Sequence, residues 1–101
     1  MSNITITEII DDLRVSEEVL RKFERRYWIT SEQFYELYSQ GLLDNGDHTD
    51  DFSEWAGSYK LKMRRESVFQ ELSKKRLDNI KTSMKKGIVQ LEPQEPAVEV
   101  V

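Results

Sequence analysis

Apolar residues recur at Ile6, Ile9, Leu13, Leu20, Phe23 and Tyr27, and with Ser16 in the one gap the spacing alternates between three and four residues. That rhythm places every one of these side chains on a single stripe of a helix, which commits the first quarter of the chain to an amphipathic helix that must bury the stripe against something else. Thr5 and Thr7 are both candidate caps. Glu8, Asp11 and Asp12 sit where a helix N-terminus favours negative charge, and Arg21, Lys22, Arg25 and Arg26 gather where the C-terminus favours positive charge. Ser16 followed by Glu17 and Glu18 also has the form of a second helix start, so a break near residues 15–16 is an alternative.

The partners for that stripe lie downstream. Thr30 and Gln33 have capping-box spacing, and Phe34, Leu37 and Tyr38 form the core set of a short helix that stops at Gly41 as its C′ residue. Tyr35 falls outside that set and is expected to face solvent. A helix of about ten residues is marginal by itself and is held by packing. A polar loop follows at residues 44–51. Its four aspartates invite a calcium reading, but counting from Asp44 the third position is Gly46, the sixth Thr49 and the twelfth Trp55, so the EF-hand ligand pattern fails. Thr49 or Asp50 as an N-cap accounts for the same residues.

A long helical pattern starts near Asp50 with Phe52, Trp55, Ala56, Tyr59 and Met63 on one face. Gly57 inside it costs about 1 kcal/mol relative to alanine, which points to close approach of another backbone there. No apolar residue lies between Arg64 and Ser67, so a bend, a break or departure from the core is expected, and the apolar phase resumes differently through Phe69, Leu72, Leu77, Ile80 and Met84. Lys85-Lys86-Gly87 reads as the stop. The fold class is all-α, three to four helices with a long basic C-terminal helix. Residues 1–87 form a single helical domain, and residues 88–101 form a flexible or extended tail. In that tail Pro93 and Pro96 exclude helix, while Ile88, Val89, Leu91, Val98, Val100 and Val101 favour extended backbone able to add as a strand to a partner.

Composition narrows the chemistry. The 101 residues contain no cysteine and one histidine, His48, so thiolate metal sites, cysteine nucleophiles, a Ser-His-Asp triad and multi-histidine metal sites lack their parts. No cofactor, metal or catalytic site is expected. Glu32, Glu36 and Glu54 lie near aromatics, but nothing fixes a pocket or nucleophile around them, and the chain reads as a non-enzyme. No apolar run is long enough for a membrane span or signal-peptide core, and the absence of cysteine fits a reducing cytoplasm.

The net charge of −4 conceals a division. Residues 60–86 hold ten cations and three acids, a net +7, whereas the remainder holds five cations and sixteen acids, a net −11. Charge segregated along a chain bears on partners and self-association. The two regions attract each other within a monomer or homodimer, or the basic segment meets an external anion.

The strings Glu24-Arg25-Arg26-Tyr27-Trp28-Ile29-Thr30-Ser31-Glu32-Gln33-Phe34-Tyr35, Gly41-Leu42-Leu43-Asp44 and Asp51-Phe52-Ser53-Glu54-Trp55-Ala56-Gly57-Ser58-Tyr59 resemble a family of small helical prokaryotic proteins. Many of its members are taken as antitoxins of two-gene toxin–antitoxin systems. The family's signature is Ser-Glu-x-Phe-Tyr followed by Asp-Phe-x-Glu-Trp-Ala-x-x-Tyr. This chain departs from the pattern in carrying Trp28 where a small or glycine-like residue is common, and in the length of its stretch beyond Met63. The resemblance implies a protein-binding role, with a toxin encoded nearby as partner.

Two functional expectations follow. The first is a small cytoplasmic, dimeric interaction protein that binds and neutralises a neighbouring protein, with Tyr35, Trp55, Tyr59 and Phe69 as candidate contact residues because exposed aromatics dominate binding hot spots. The second is a nucleic-acid-binding or transcription-regulating protein that places Lys60, Lys62, Arg64, Arg65, Lys74, Lys75, Arg76 and Lys81 against phosphates. No helix-turn-helix or RNA motif accompanies those cations.

Overall fold

A computed structural model describes residues 4–44 and 46–93. They form three helices: α1 (Ile6–Tyr27), α2 (Ser31–Ser39) and α3 (Thr49–Thr82). The molecule is elongated, 61 × 31 × 22 Å. The outer part of the expected tail, residues 94–101, and Asn45 of the expected turn lie outside the described residues.

α1 is one uninterrupted helix of 22 residues. Thr5 caps it: its side chain accepts from the Glu8 amide at 3.1 Å, and the Glu8 carboxylate accepts from the Thr5 amide at 3.4 Å. The alternative break at 15–16 does not occur, because Ser16 is buried on the seam together with Ile9, Leu20 and Phe23. The stripe holds its alternating spacing straight through it. Among the described residues Ser16 Oγ is buried there without a hydrogen-bond partner. The helix ends at Trp28, which adopts a left-handed conformation (φ 62°) and is 88% exposed. A left-handed position suits glycine and costs another residue about 1 kcal/mol or more, which gives a physical reason for a small residue at this point.

α2 starts on the expected capping box, with Thr30 accepting from the Gln33 amide at 3.0 Å and Gln33 Oε1 accepting from the Thr30 amide at 3.1 Å. Gly41 follows it with φ 67°, the left-handed stop read from the sequence. His48 stands at the N-cap position of α3 and makes no side-chain cap bond, so neither Thr49 nor Asp50 is the N-cap. Thr49 instead donates its hydroxyl to the Gly46 carbonyl at 2.8 Å.

α1 and α3 run antiparallel. Tyr27 donates to Asp51 at 2.7 Å, Lys22 to Glu54 at 3.1 Å and Arg65 to Asp12 at 2.9 Å, three rungs whose numbers fall on one side as they rise on the other. α3 is unbroken through residues 64–67. A seam along one side is sufficient to carry a helix, and Arg65 supplies it there through its bond to Asp12 in place of an apolar contact. Gly57 is exposed, and a Cβ added to it would meet nothing within 4 Å, so no backbone approaches it closely. As a whole α3 holds eight cations and six acids, because its first turns include Asp50, Asp51 and Glu54; its positive charge belongs to the part beyond residue 59.

The core is aromatic and centred on Trp55, which is fully enclosed. Phe34 of α2 stacks on it at 3.9 Å between centroids with planes 3° apart, and Phe23 and Tyr27 of α1 stack at 5.4 and 5.5 Å. Burying a large side chain of this kind stabilises a fold by about 1.5–3 kcal/mol, and offset aromatic pairs add about 0.5–1.5 kcal/mol each. The indole N–H also has an acceptor. It donates to Ser31 Oγ at 2.9 Å, and Ser31 donates its hydroxyl (2.8 Å) and its amide (2.9 Å) to the Glu24 carboxylate. One polar chain thus ties α1, α2 and α3 through their common centre and satisfies an otherwise orphaned amide at the start of α2.

Candidate functional site

The structure sorts the four candidate contact residues into different roles. Trp55 has no exposed surface and can meet no partner while the chain is folded. Tyr35 is half-buried instead of facing solvent. It stacks on Tyr59 at 4.9 Å, with Lys60 Nζ at 6.0 Å from its ring centroid. Tyr38, assigned to the core set, is the more exposed of the two. The reason is the position of α2: Phe34 inserts against Trp55, and the side of α2 turned toward α3 is then the one bearing Tyr35. Phe69 is half-buried one turn beyond Arg65, on the side of α3 that faces the first turns of α1.

The eight candidate phosphate-binding cations separate as well. Three are engaged within the molecule: Lys62 lies 3.8 Å from Glu66, Arg65 pairs with Asp12 at 2.9 Å, and Arg76 donates to the Glu92 carbonyl at 2.6 Å. Lys60, Arg64, Lys74, Lys75 and Lys81 are exposed and lie on the opposite side of α3. They are interleaved with Glu71 and Asp78.

Geometry singles out the far end of α3. The Asp12–Arg65 rung sets the register, so Ile6, six residues toward the start of α1, is level with about residue 71 of α3. Residues 72–82 therefore run on for about 16 Å past the end of α1. This arm keeps an apolar face. Leu77 lies 18 residues, about five whole turns, beyond Tyr59, and Ile80 lies within about 20° of the direction of Trp55. In the head of the molecule α1 and α2 cover that side. On the arm Leu77 is 48% exposed, whereas Ile80 is half-buried.

Beyond the arm the chain doubles back. Lys86 (φ 55°) and Gly87 (φ 75°) form a two-residue turn, closed by Lys85 N–H to Ile88 O at 3.1 Å and Ile88 N–H to Lys85 O at 3.0 Å. Two successive positive φ values are the type I′ turn that suits a hairpin. Residues 88–93 then run beside α3, held where Arg76 reaches the Glu92 carbonyl. Ile88 and Leu91 are 71% and 74% exposed. Among the described residues the backbone amides of Val89, Gln90 and Leu91 make no hydrogen bond. The extended segment expected from Ile88 onward is therefore present through Pro93, with an open edge and exposed apolar side chains.

Sequence reasoning missed Glu24 and Ser31 as structural partners of Trp55. Their signal was available in retrospect: a serine at the first position of a helix beside a buried tryptophan needs an acceptor. It also missed the Asp12–Arg65 and Tyr27–Asp51 rungs, which join residues far apart in the chain and carry no local signature. At Tyr27, partial burial, then the hydrogen bond from its hydroxyl to Asp51 and the negative charge of that carboxylate, push the phenol above its ordinary pKa; Arg26 pulls the other way. Among the described residues no cluster of three potential metal-ligating side chains occurs, and no helix is long and apolar enough to cross a membrane. No protein-family model, curated protein or solved structure matches the chain.

Proposed function

We propose that this chain is a small cytoplasmic protein-interaction module of the antitoxin type, which binds and neutralises a protein encoded beside it and performs no catalysis. The observation that supports this reading best is the segment Ile88–Pro93. It is extended, exposes apolar side chains, and leaves its amides at residues 89–91 without partners among the described residues. Such a segment suits addition to the edge of a partner's sheet, where main-chain bonds give affinity and side-chain pockets give specificity. The antitoxin assignment itself rests on the family-like strings in residues 24–59.

Co-expression with the adjacent open reading frame tests the reading. The expected result is that the two products co-purify, that the chain relieves growth inhibition by its neighbour, and that Ile88→Asp with Leu91→Asp abolishes both effects. Failure to co-purify together with failure to relieve any inhibition contradicts it.

A second reading has its own observation. Lys60, Arg64, Lys74, Lys75 and Lys81 are exposed on one side of α3, a basic edge able to follow a phosphate backbone. A gel shift on the promoter region at two salt concentrations examines it: binding that weakens steeply with salt supports it, and no shift at low salt removes it.

A further inference from the structure

Two contacts fix how the segment beyond the turn is oriented. Ile88 exchanges both of its main-chain bonds with Lys85, at 3.1 and 3.0 Å, and the Glu92 carbonyl accepts from Arg76 at 2.6 Å. Both contacts face α3 and the chain that leaves it. In extended backbone the N–H and C=O of one residue point to one side, and those of the next residue to the other. Ile88 and Glu92 are separated by an even number of residues, so one extended run brings the main-chain groups of both to the inner side. Gln90, between them, shares that side. Val89 and Leu91 then turn their main-chain groups outward, and among the described residues their amides make no hydrogen bond. Pro93 is the next outward position and has no N–H, so the row of donors stops there.

We propose that residues 88–93 form a strand with a single usable edge, on which Val89 and Leu91 make the main-chain bonds to an added strand. Arg76 and the Lys86–Gly87 turn are the positioning residues that keep this edge outward. The inference rests on the partner-binding reading above and says what the partner supplies: an open edge strand of its own sheet, paired through those two positions. Side chains alternate between the two faces of a strand, so Leu91 lies on one face and Ile88 on the other. The partner therefore offers an apolar recess on each side of its edge. A segment held extended before encounter has less ordering to undergo on binding. Lys86 limits this advantage, because its φ of 55° suits asparagine or glycine better than lysine.

The test is calorimetric titration of the full-length chain with the product of the adjacent open reading frame. Single amides at residues 89, 90 and 91 are replaced by esters through α-hydroxy acids, which removes one donor and preserves shape. Esters at 89 and at 91 are each expected to weaken binding about fivefold, and the ester at 90 by less than about twofold. Arg76→Ala is expected to weaken binding severalfold with unchanged helical circular dichroism. Lys86→Asn, which makes an Asn-Gly turn, is expected to tighten it severalfold. No loss at 89 and 91, or equal losses at all three positions, overturns the assignment of the edge. Lys86→Asn that binds no more tightly than the native chain, or Arg76→Ala that binds as well, overturns the positioning role. Absence of any binding by the unmodified chain overturns the partner-binding reading itself and this inference with it, so the first titration tells the two failures apart.

Discussion

The two ends of α3 continue one helix and meet opposite surroundings. From Asp51 to about residue 71 the helix has α1 along one side and α2 against another, and its aromatic face is sealed around Trp55. From residue 72 onward the apolar side continues, but α1 has ended. The same periodicity that builds a core in the head continues on the arm, where neither α1 nor α2 covers it. Amphipathic periodicity shows which side of a helix avoids water; what covers that side depends on where the neighbouring helix stops.

Substitutions in the two regions are expected to differ in kind. Trp55→Ala should have the largest effect. Loss of a fully enclosed indole typically costs about 3–5 kcal/mol, a large share of a small domain's stability, so cooperative thermal unfolding monitored by circular dichroism should be lost or shifted far downward. Ser31→Ala should cost about 1–3 kcal/mol, because it leaves both the Trp55 indole N–H and the Glu24 carboxylate without their shared partner. Urea titration measures it, and a cost no greater than that of an ordinary surface change would show that the polar chain at the centre does not hold the head. Gly57→Ala, in open space on α3, should stabilise by up to about 1 kcal/mol. Leu77→Ser on the arm should change stability by less than about 0.5 kcal/mol, and a larger loss would erase the distinction between head and arm.

The smallest effect concerns pH. The Tyr27 phenol lies above the ordinary value of 10.0, so its pairing with Asp51 favours the folded state fully below that value. The contribution fades as alkaline pH passes through the raised value in the folded chain. Spectrophotometric titration should therefore show one tyrosine ionising later than the others, and Tyr27→Phe should remove that late component.

Several elements were legible from residues alone, and the reason is locality. The stripe of α1, the Thr30–Gln33 capping box and the stop at Gly41 depend on spacings of a few residues, and each appears where expected. What was not legible depends on partners distant in the chain. No local feature announces that Asp12 meets Arg65, yet that bond sets the register and thereby the length of the arm. The gap at residues 64–67 was read as a place to bend because periodicity counts apolar residues only; the ion pair that bridges it is invisible to that count. Tyr35 and Tyr38 exchanged roles because the side of α2 facing α3 is decided by Phe34 seating on Trp55. For the candidate site, the extended character of residues 88–93 was readable from composition. The stretch of α3 without α1 beside it was not, because it required knowing that α3 runs about 16 Å past the start of α1.

The central claim is that α3 is sealed by α1 and α2 in the head and is covered on the arm by no more than the short segment 88–93. Amide hydrogen exchange on the purified chain tests it most directly. The account predicts amides of residues 55–70 exchanging at one slow rate and amides of residues 74–82 exchanging much faster. Arm amides as protected as those of the head would contradict it.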